Sequence, residues 1–206
     1  MEKNSKRHGP IKPAAASPEL ILASASPRRA ELMRQAGYRF HVAKSTLHEP
    51  ARRPKSVPIR VWPVCLALRK AQSVAKLWPS NSIIIGADTI VVHDGRIINK
   101  AATRHHAETI LRSLSGTTHE VITGLVVLRG NECQMESMVS ICRMKRLSEH
   151  QLQMYLTSNL WRGKAGAYGI QDSPEDPFVE LISGEHSNVM GLPLAALQTM
   201  LQTTIG

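Results

Sequence analysis

Aromatic residues are scarce in this chain, which has 2 Phe, 3 Trp and 3 Tyr among 206 residues. Its core must therefore be packed mainly by aliphatic side chains and alanine, within a hydrophobic fraction of 42%. The three cysteines, Cys65, Cys133 and Cys142, are scattered and form no C-x-x-C pair. Such an odd, unpaired set is typical of a reducing compartment, so we expect a cytoplasmic protein without a disulfide framework.

Several motifs that would define a function are also missing. No apolar run approaches the roughly 18 residues of a membrane span, so we expect no membrane association. Neither a P-loop nor a G-x-G-x-x-G fingerprint occurs, which argues against a kinase and a Rossmann oxidoreductase. The adjacent His105 and His106 cannot both face one site from a helix, and no H-x-x-x-H spacing predicts zinc. Ser24 and Ser26 have no evident histidine partner, which argues against a serine hydrolase.

Basic residues outnumber acidic ones by 26 to 16, giving a formal charge of +10. That excess fits nucleic acid, an anionic membrane or small phosphorylated ligands, and the charge alone does not choose among them. Residues 1–18 are polar, Pro-rich and basic, and they have no apolar core for a signal peptide. We predict a disordered basic extension over 1–18 and a single domain over 19–206.

The stretch from Leu20 to Gly37 predicts a buried strand, a tight turn and a helix. Ser26 suits the N-cap and Pro27 the first helical position. Arg28 and Arg29 then lie in the first turn, where the helix dipole is positive and cations are mildly unfavourable. This placement makes sense if an anion binds there, although two solvated arginines on an ordinary helix would look the same.

Further along, Ile83–Ile85 predicts a short buried strand that ends in Gly86-Ala87-Asp88-Thr89. Asp94-Gly95 is a hairpin signal, and residues 119–128 and 136–145 predict a second hairpin turning near Gly130. Helices and strands alternate without a repeated βαβ rhythm. We therefore expect a mixed α/β fold, with one mixed sheet flanked by helices.

A carboxylate directly after a buried strand, as at Asp88, is typical of a general base or a metal ligand, but also of a cap or turn. Glu49 is a lone acid in a basic loop; together with Asp88 it could hold Mg²⁺, which prefers one or two carboxylates plus phosphate and water.

Lys70, Lys100 and Lys164 each look like surface lysines in isolation. A triphosphate site would need them to converge with the two arginines, because charge must be neutralised in the transition state. Gln171 offers one donor and one acceptor, which matches N3–H and O4 of uracil or thymine. A rotated amide would also fit cytosine, so this match leaves the base open.

Five ordered blocks resemble the Maf family, nucleotide pyrophosphatases also known as septum-formation inhibitors. The blocks are S-A-S-P-R-R (24–29), L-A-L-R-K-A (66–71), G-A-D-T (86–89) through Lys100, L-S-G with H-x-V-x-T-G (114–124), and K-A-G-A-Y-G-I-Q (164–171) with N-V-M-G-L-P (188–193). Each block is weak alone, but five in order span nearly everything after residue 19.

The resemblance implies hydrolysis of nucleoside triphosphates to a monophosphate and pyrophosphate, within a long mixed sheet whose cleft lies between two lobes, as in inosine-triphosphate pyrophosphatase. It implies that Asp88 is the general base and that Glu49 and Asp88 hold Mg²⁺, or Mn²⁺ in its place. The G-A-D-T, R-R and G-I-Q combination resembles the branch acting on dTTP and UTP. The residues implied for phosphate and substrate binding are Ser24, Ser26, Arg28, Arg29, Lys70, Thr89, Lys100, Lys164 and Gln171.

Three departures from the family pattern bear on the substrate. Ala101 stands where the family has Pro, residues 158–163 replace a segment that usually carries acidic residues, and the basic extension has no counterpart. Trp161 and Arg162 in that segment could reshape the base pocket. The alternatives are therefore the same chemistry on non-standard purine nucleotides or 7-methyl-GTP, or a non-catalytic nucleic-acid-binding or cell-division regulator. A nucleotide partner is expected rather than nucleic acid or a membrane, and a homodimer stays open.

Overall fold

The computed structural model describes residues 18–47, 50, 52–172, 175 and 177–205. The predicted basic extension, apart from Pro18, and Glu49 lie outside the described residues. The strands are β1 (Leu20–Leu22), β2 (His41–Val42), β3 (Ile83–His93), β4 (Arg96–Ile98), β5 (Thr118–Arg129), β6 (Glu132–Met144) and β7 (Val179–Ser183). The helices are α1 (Pro27–Gln35), α2 (Trp62–Ala75), α3 (Arg104–Leu114), α4 (Glu149–Ser158), α5 (His186–Met190) and α6 (Leu194–Ile205).

All seven of these strands belong to one sheet, in the order β2-β1-β3-β5-β6-β7, with β4 paired to β3. β1 pairs with β2 and β3 in parallel, whereas the remaining pairs are antiparallel. The prediction of one mixed sheet flanked by helices is therefore confirmed. None of the helices in the described ranges is both long and apolar enough to cross a membrane.

The prediction that the Ile83–Ile85 strand ends before Asp88 is wrong, because β3 runs unbroken for 11 residues. β5 pairs with β3 along nearly its whole length, from Ile83 to Val92, with Gly124 opposite Asp88. Continuous pairing on that edge removes any need for a turn at the G-A-D-T segment. Asp88 therefore projects from the middle of a long strand.

The opposite edge of β3 is interrupted. Residues 83–85 pair there with β1, and residues 91–93 pair with β4. Neither strand reaches residues 86–90, because β1 is only 3 residues long and the chain turns away after Leu22 into α1. The sheet therefore has a gap beside the middle of β3. The loop before α1 begins at one end of this gap, where the Ala23 N–H donates to the Ile85 carbonyl at 2.8 Å.

Turns and caps follow the sequence signals closely. Asp94 and Gly95 both have positive φ (47° and 69°), as a two-residue hairpin between β3 and β4 requires. Ser148 and Gln151, an S-x-x-Q sequence, form a capping box at the start of α4. β2 consists only of the exposed pair His41–Val42, and the short helix α5 was not expected.

The apolar core divides into several clusters. A first cluster packs around α3 and α4, and a second packs around α1 and α6. A third joins α2 to β1 and β3 on the other face of the sheet. A fourth cluster joins the start of α2 to Ile90 and Val92 of β3. The first cluster contains Val91 of β3, whereas the second and third contain β3 residues only between positions 83 and 87.

Helix α2 lies unusually close to the sheet. A Cβ at Gly86 would be 2.3 Å from the Ala67 carbonyl oxygen, and one at Gly124 would be 2.2 Å from the Val64 nitrogen. Both positions therefore accept only glycine while the helix stays in place. This close approach brings the side chains of α2 within reach of the middle of β3.

Candidate active site

A cavity of about 500 Å³ opens at the gap beside β3. All of the sequence-predicted site residues that the structure describes line it. Glu49, the expected second metal ligand, lies outside the described residues. The lining residues from the prediction are Ser24, Ser26, Arg28, Arg29, Lys70, Asp88, Thr89, Lys100, Lys164 and Gln171.

Asp88 and Lys70 form an ion pair at the α2 side of the cavity. Lys70 Nζ donates to Asp88 Oδ1 at 2.5 Å, and the two side chains are only 12% and 11% exposed. Such a charge-assisted hydrogen bond fixes the direction in which the carboxylate points. The close packing of α2 against Gly86 and Gly124 is what allows a lysine of the helix to reach a strand carboxylate.

Thr89 follows Asp88 in the strand and therefore projects to the opposite face. It meets Arg29, whose Nη2 donates to Thr89 Oγ1 at 3.1 Å. Arg29 is buried; its Nη1 also donates to Ser24 Oγ at 3.1 Å and its Nε to the Gly191 carbonyl at 2.7 Å. Its planar fork thus ties α1, β3 and the end of α5 together around the cavity.

Gly191 needs to be glycine at this junction. Its φ is +108°, a backbone conformation that L side chains rarely adopt, and a Cβ would lie 3.3 Å from Thr89 Oγ1. Behind it, Thr89 and Thr123 share a hydrogen bond at 2.9 Å, and Thr123 donates to the Asn188 carbonyl at 3.1 Å. These buried polar groups support the cavity wall.

The start of α1 faces the cavity without a side-chain cap. Ser26 occupies the N-cap position, but the prediction that it caps is wrong, because its side chain makes no capping hydrogen bond. Its own N–H donates instead to Ser24 Oγ at 3.2 Å. Because no side chain caps them, the N–H groups of the first turn are available to an anion at the positive end of the helix. Half-buried Arg28 lies in the same turn.

Lys100 and Lys164 come from distant parts of the chain and meet at the other side of the cavity. The backbone of Lys100 bridges to Ala165 in an isolated antiparallel pair, and the Lys100 side chain is exposed. Lys164 is buried, and its ammonium contacts both carboxylate oxygens of Asp172. Burial lowers the pKa of Lys164, while Asp172 opposes that shift.

Of the two residues expected to reshape the base pocket, Arg162 lines the cavity and Trp161 does not. Trp161 does not line the cavity; it is 1% exposed in the first cluster, and its Nε1 donates to the Leu156 carbonyl at 3.1 Å. Arg162 does line the cavity, with its guanidinium carbon 4.6 Å from the centre of the Trp161 ring. Ala101 packs at the edge of the first cluster. Only Arg162 of this segment's predicted pair can touch a ligand directly.

Charge in the cavity is strongly one-sided. The only carboxylate among the described residues that line it is Asp88. Six cationic side chains surround that carboxylate: Arg28, Arg29, Lys70, Lys100, Arg162 and Lys164. Low-dielectric walls concentrate such a field, so the cavity favours a ligand with several negative charges.

The residues missed by sequence reasoning are the supports of this site. Asp172, Tyr155, Thr123 and Asn188 all make hydrogen bonds at or behind the cavity wall. Thr123 lies in the fourth motif block and Asn188 in the final one, so the positions of both were usable signals. Nothing local in the sequence marks Tyr155, because its partner becomes a neighbour only in the folded chain.

Fold and site together define a mixed α/β protein with a cation-lined cleft for a polyanion. The chain belongs to the Maf-like protein family, which matches residues 19–204. It is 44% identical to the dTTP/UTP pyrophosphatase of Symbiobacterium thermophilum, over 89% of this chain and 92% of that protein. The enzyme of the same name from Novosphingobium aromaticivorans is 37% identical, over 94% of this chain and 96% of that protein.

One solved structure completes the comparison. The nucleoside-triphosphatase, or dITP/XTP pyrophosphatase, of Mycobacterium abscessus is similar with a TM-score of 0.42 and 14% identity, over 91% of this chain and 98% of that chain.

Proposed function

We propose that this protein is a nucleoside triphosphate pyrophosphatase that converts dTTP and UTP to the monophosphate and pyrophosphate. The observation that carries the proposal is the Lys70–Asp88 pair at 2.5 Å, inside a cavity where every other charged residue of the described lining is a cation. In a protein that only binds the nucleic-acid backbone, a fixed carboxylate among the phosphate-binding cations would repel the phosphates and weaken binding. Membership of the Maf-like family and relatives named for this reaction support the same conclusion.

In the proposed reaction, Asp88 accepts a proton from a water molecule as the water oxygen attacks the α-phosphorus. The new P–O bond forms while the bond from the α-phosphorus to the bridging oxygen breaks, and pyrophosphate leaves. Arg28, Lys70 and Lys100 neutralise the charge that builds on the phosphate oxygens. The start of α1 offers further N–H donors to the same oxygens.

Arg29 has a different part in this proposal. Its donors already contact Ser24, Thr89 and Gly191, so it orients the hydroxyls and the glycine turn that shape the cavity. Ser24 and Ser26 then present small polar groups at the turn before α1, where backbone can approach a phosphate closely. Thr89 and Gln171 lie on the cavity wall and would face the base or sugar.

A divalent metal fits this donor set. Mg²⁺ is commonly held by one or two carboxylates together with substrate phosphates and water, and the described cavity lining supplies one carboxylate, Asp88. No group of three or more His, Cys, Asp or Glu side chains within the described residues is arranged to hold a metal. Mg²⁺, or Mn²⁺, bound by Asp88 and Glu49 would supply charge neutralisation for the phosphates.

Purified protein with Mg²⁺ and a panel of nucleotides tests the proposal. The panel holds dTTP, UTP, CTP, ITP, 7-methyl-GTP and the common purine nucleotides, with pyrophosphate and orthophosphate detected separately. We expect pyrophosphate release that is fastest with dTTP and UTP. Release fastest with ITP or 7-methyl-GTP would keep the reaction and overturn the substrate. No release with any nucleotide would overturn the enzyme assignment.

A further inference from the structure

Asp172 is a buried acid directly after Gln171, and the proposed reaction gives it no part. Its side chain is only 5% exposed, although aspartate is almost never buried unless it is paired. The structure supplies its partners from two separate elements. Lys164, at the start of the same segment, contacts both carboxylate oxygens, and Tyr155 on α4 donates its hydroxyl to Oδ2 at 2.5 Å.

These contacts close the segment from Lys164 to Asp172 into a loop fixed to α4. The backbone N–H of Asp172 donates to the Gly169 carbonyl at 3.0 Å, which makes the last turn of the loop. A Cβ at Gly169 would lie 2.6 Å from the Asp172 carboxylate, so the acid is seated against bare backbone. Tyr155 itself packs edge-on against Phe178, with ring centres 4.9 Å apart, in the first cluster.

Five residues of the loop line the cavity, and the two with polar side chains near its ends are Lys164, at the start, and Gln171, directly before Asp172. Lys164 is buried near Arg28, and both conditions disfavour its charged form, whereas Asp172 favours it. Asp172 thus favours the charged, ammonium form of Lys164 inside a cavity that already holds several cations. It also holds fixed the backbone from which Gln171 projects.

We propose that Asp172 is a positioning residue that sets base selectivity by holding Lys164 and Gln171 in one arrangement. The inference rests on the proposed function and deepens it. Gln171 can pair with uracil or thymine, and with cytosine when its amide turns over. A loop held by Asp172 and Tyr155 presents Gln171 from one fixed backbone position, and that fixed position is what allows one base to be preferred over another.

Binding of the products dTMP and dCMP, measured by calorimetry, tests this without requiring turnover. We expect wild-type protein to prefer dTMP, and we expect Asp172→Asn to reduce the ratio of the two affinities by about tenfold, the effect of losing one well-placed hydrogen bond. Glu180→Gln, which changes an exposed acid on β7, is the matched control and should keep the wild-type ratio.

Two further variants separate positioning from simple loss of folding. Tyr155→Phe keeps the ion pair and removes only the hydroxyl donor, so it should lower the ratio in the same direction by a smaller factor; Tyr38→Phe is its control. The double variant Lys164→Met with Asp172→Asn should have a dTMP-to-dCMP affinity ratio no lower than that of Lys164→Met alone, because the two residues act as one unit.

The pH profile of kcat/KM gives a second readout. Among the described residues, Asp172 and Arg28 act on the charge of Lys164, and Tyr155 shares the Asp172 carboxylate. Lys70, Lys100 and Arg162 line the same cavity. Removing the Asp172 charge should shift the alkaline limb of the profile to lower pH, and the double variant should lack that shift. An unchanged dTMP-to-dCMP ratio in both Asp172→Asn and Tyr155→Phe would overturn the inference. A wild-type protein that prefers dTMP but releases no pyrophosphate would instead overturn the proposed function.

Discussion

Lys70 on α2 and Asp88 on β3 are joined by a 2.5 Å hydrogen bond, and both side chains are almost fully removed from solvent. The contact depends on two glycines, Gly86 and Gly124, which let α2 approach the sheet. It also depends on the gap in the sheet, because only there can a side chain from mid-strand reach an open cavity. The general base that we propose is thus positioned by packing as well as by its neighbour's charge.

Replacing Asp88 by Asn should abolish most turnover while the protein stays folded. An amide has the same shape but cannot take the proton of the attacking water, so we expect kcat to fall by about 10²- to 10⁴-fold. Because Lys70 loses its charged partner, the free energy of unfolding should fall by about 1–3 kcal/mol. Steady-state kinetics and thermal unfolding measure the two effects. Asp94→Asn, at an exposed turn, should leave both near wild type; full activity in Asp88→Asn would remove Asp88 from the mechanism.

Lys70→Met keeps the aliphatic stem and removes the charge beside Asp88. We expect kcat to fall by about 10²- to 10³-fold, the usual effect of losing one preorganised electrostatic group. The exposed Lys76, at the end of the same helix, offers a comparison. The kcat of Lys76→Met should stay near wild type and should exceed that of Lys70→Met by at least about 10²-fold. Equal kcat values in the two variants would contradict a role for Lys70.

The two adjacent arginines should respond differently to replacement by lysine. Arg29→Lys loses the fork that contacts Ser24, Thr89 and Gly191, so the free energy of unfolding should fall by about 1–3 kcal/mol. Arg28→Lys should slow turnover and change stability by less than about 0.5 kcal/mol, because Arg28 borders the cavity. Denaturant unfolding and kinetics of both variants test the division; equal stability loss would contradict it.

His119 should make the protein less stable in mild acid. Burial and the nearby His93 lower the pKa of His119 to about 4, and its Nε2 lies 2.6 Å from the Tyr168 hydroxyl oxygen. The unfolded chain binds the proton at an ordinary pKa near 6.5, so stability falls as the pH drops from about 6.5 towards 4, by about 3 kcal/mol in all.

Unfolding free energies between pH 7 and pH 4 measure this effect. His119→Gln should lose much less stability over that range than wild type, whereas His105→Gln, at an exposed position on α3, should follow wild type. If His119→Gln loses as much unfolding free energy as wild type between pH 7 and pH 4, a group other than His119 causes the acid sensitivity.

Most of the fold could be predicted because its signals are local. The Asp94-Gly95 turn, the Ser148–Gln151 capping box and the apolar face of α2 each depend on residues within a few positions of one another. The length of β3 could not be predicted in this way. Residues 86–90 look like a strand end, and only the pairing with β5 keeps them extended.

Much of the cavity lining was predictable through the motif blocks, but the contacts among its residues were not. Arg29 and Gly191 are 162 positions apart, and Thr123 and Asn188 are 65 apart. Such contacts follow from sheet order and helix packing, which no short pattern encodes. For the same reason Trp161 looked like a pocket residue, although its ring belongs to the first cluster.

In the proposed reaction, water attacks the α-phosphorus and Asp88 accepts its proton. Hydrolysis of dTTP in ¹⁸O-labelled water, followed by mass spectrometry of both products, tests it most directly. We expect the label to enter dTMP and the pyrophosphate to stay unlabelled, with both products greatly reduced in Asp88→Asn. Label in the pyrophosphate, or release of orthophosphate in place of pyrophosphate, would contradict it.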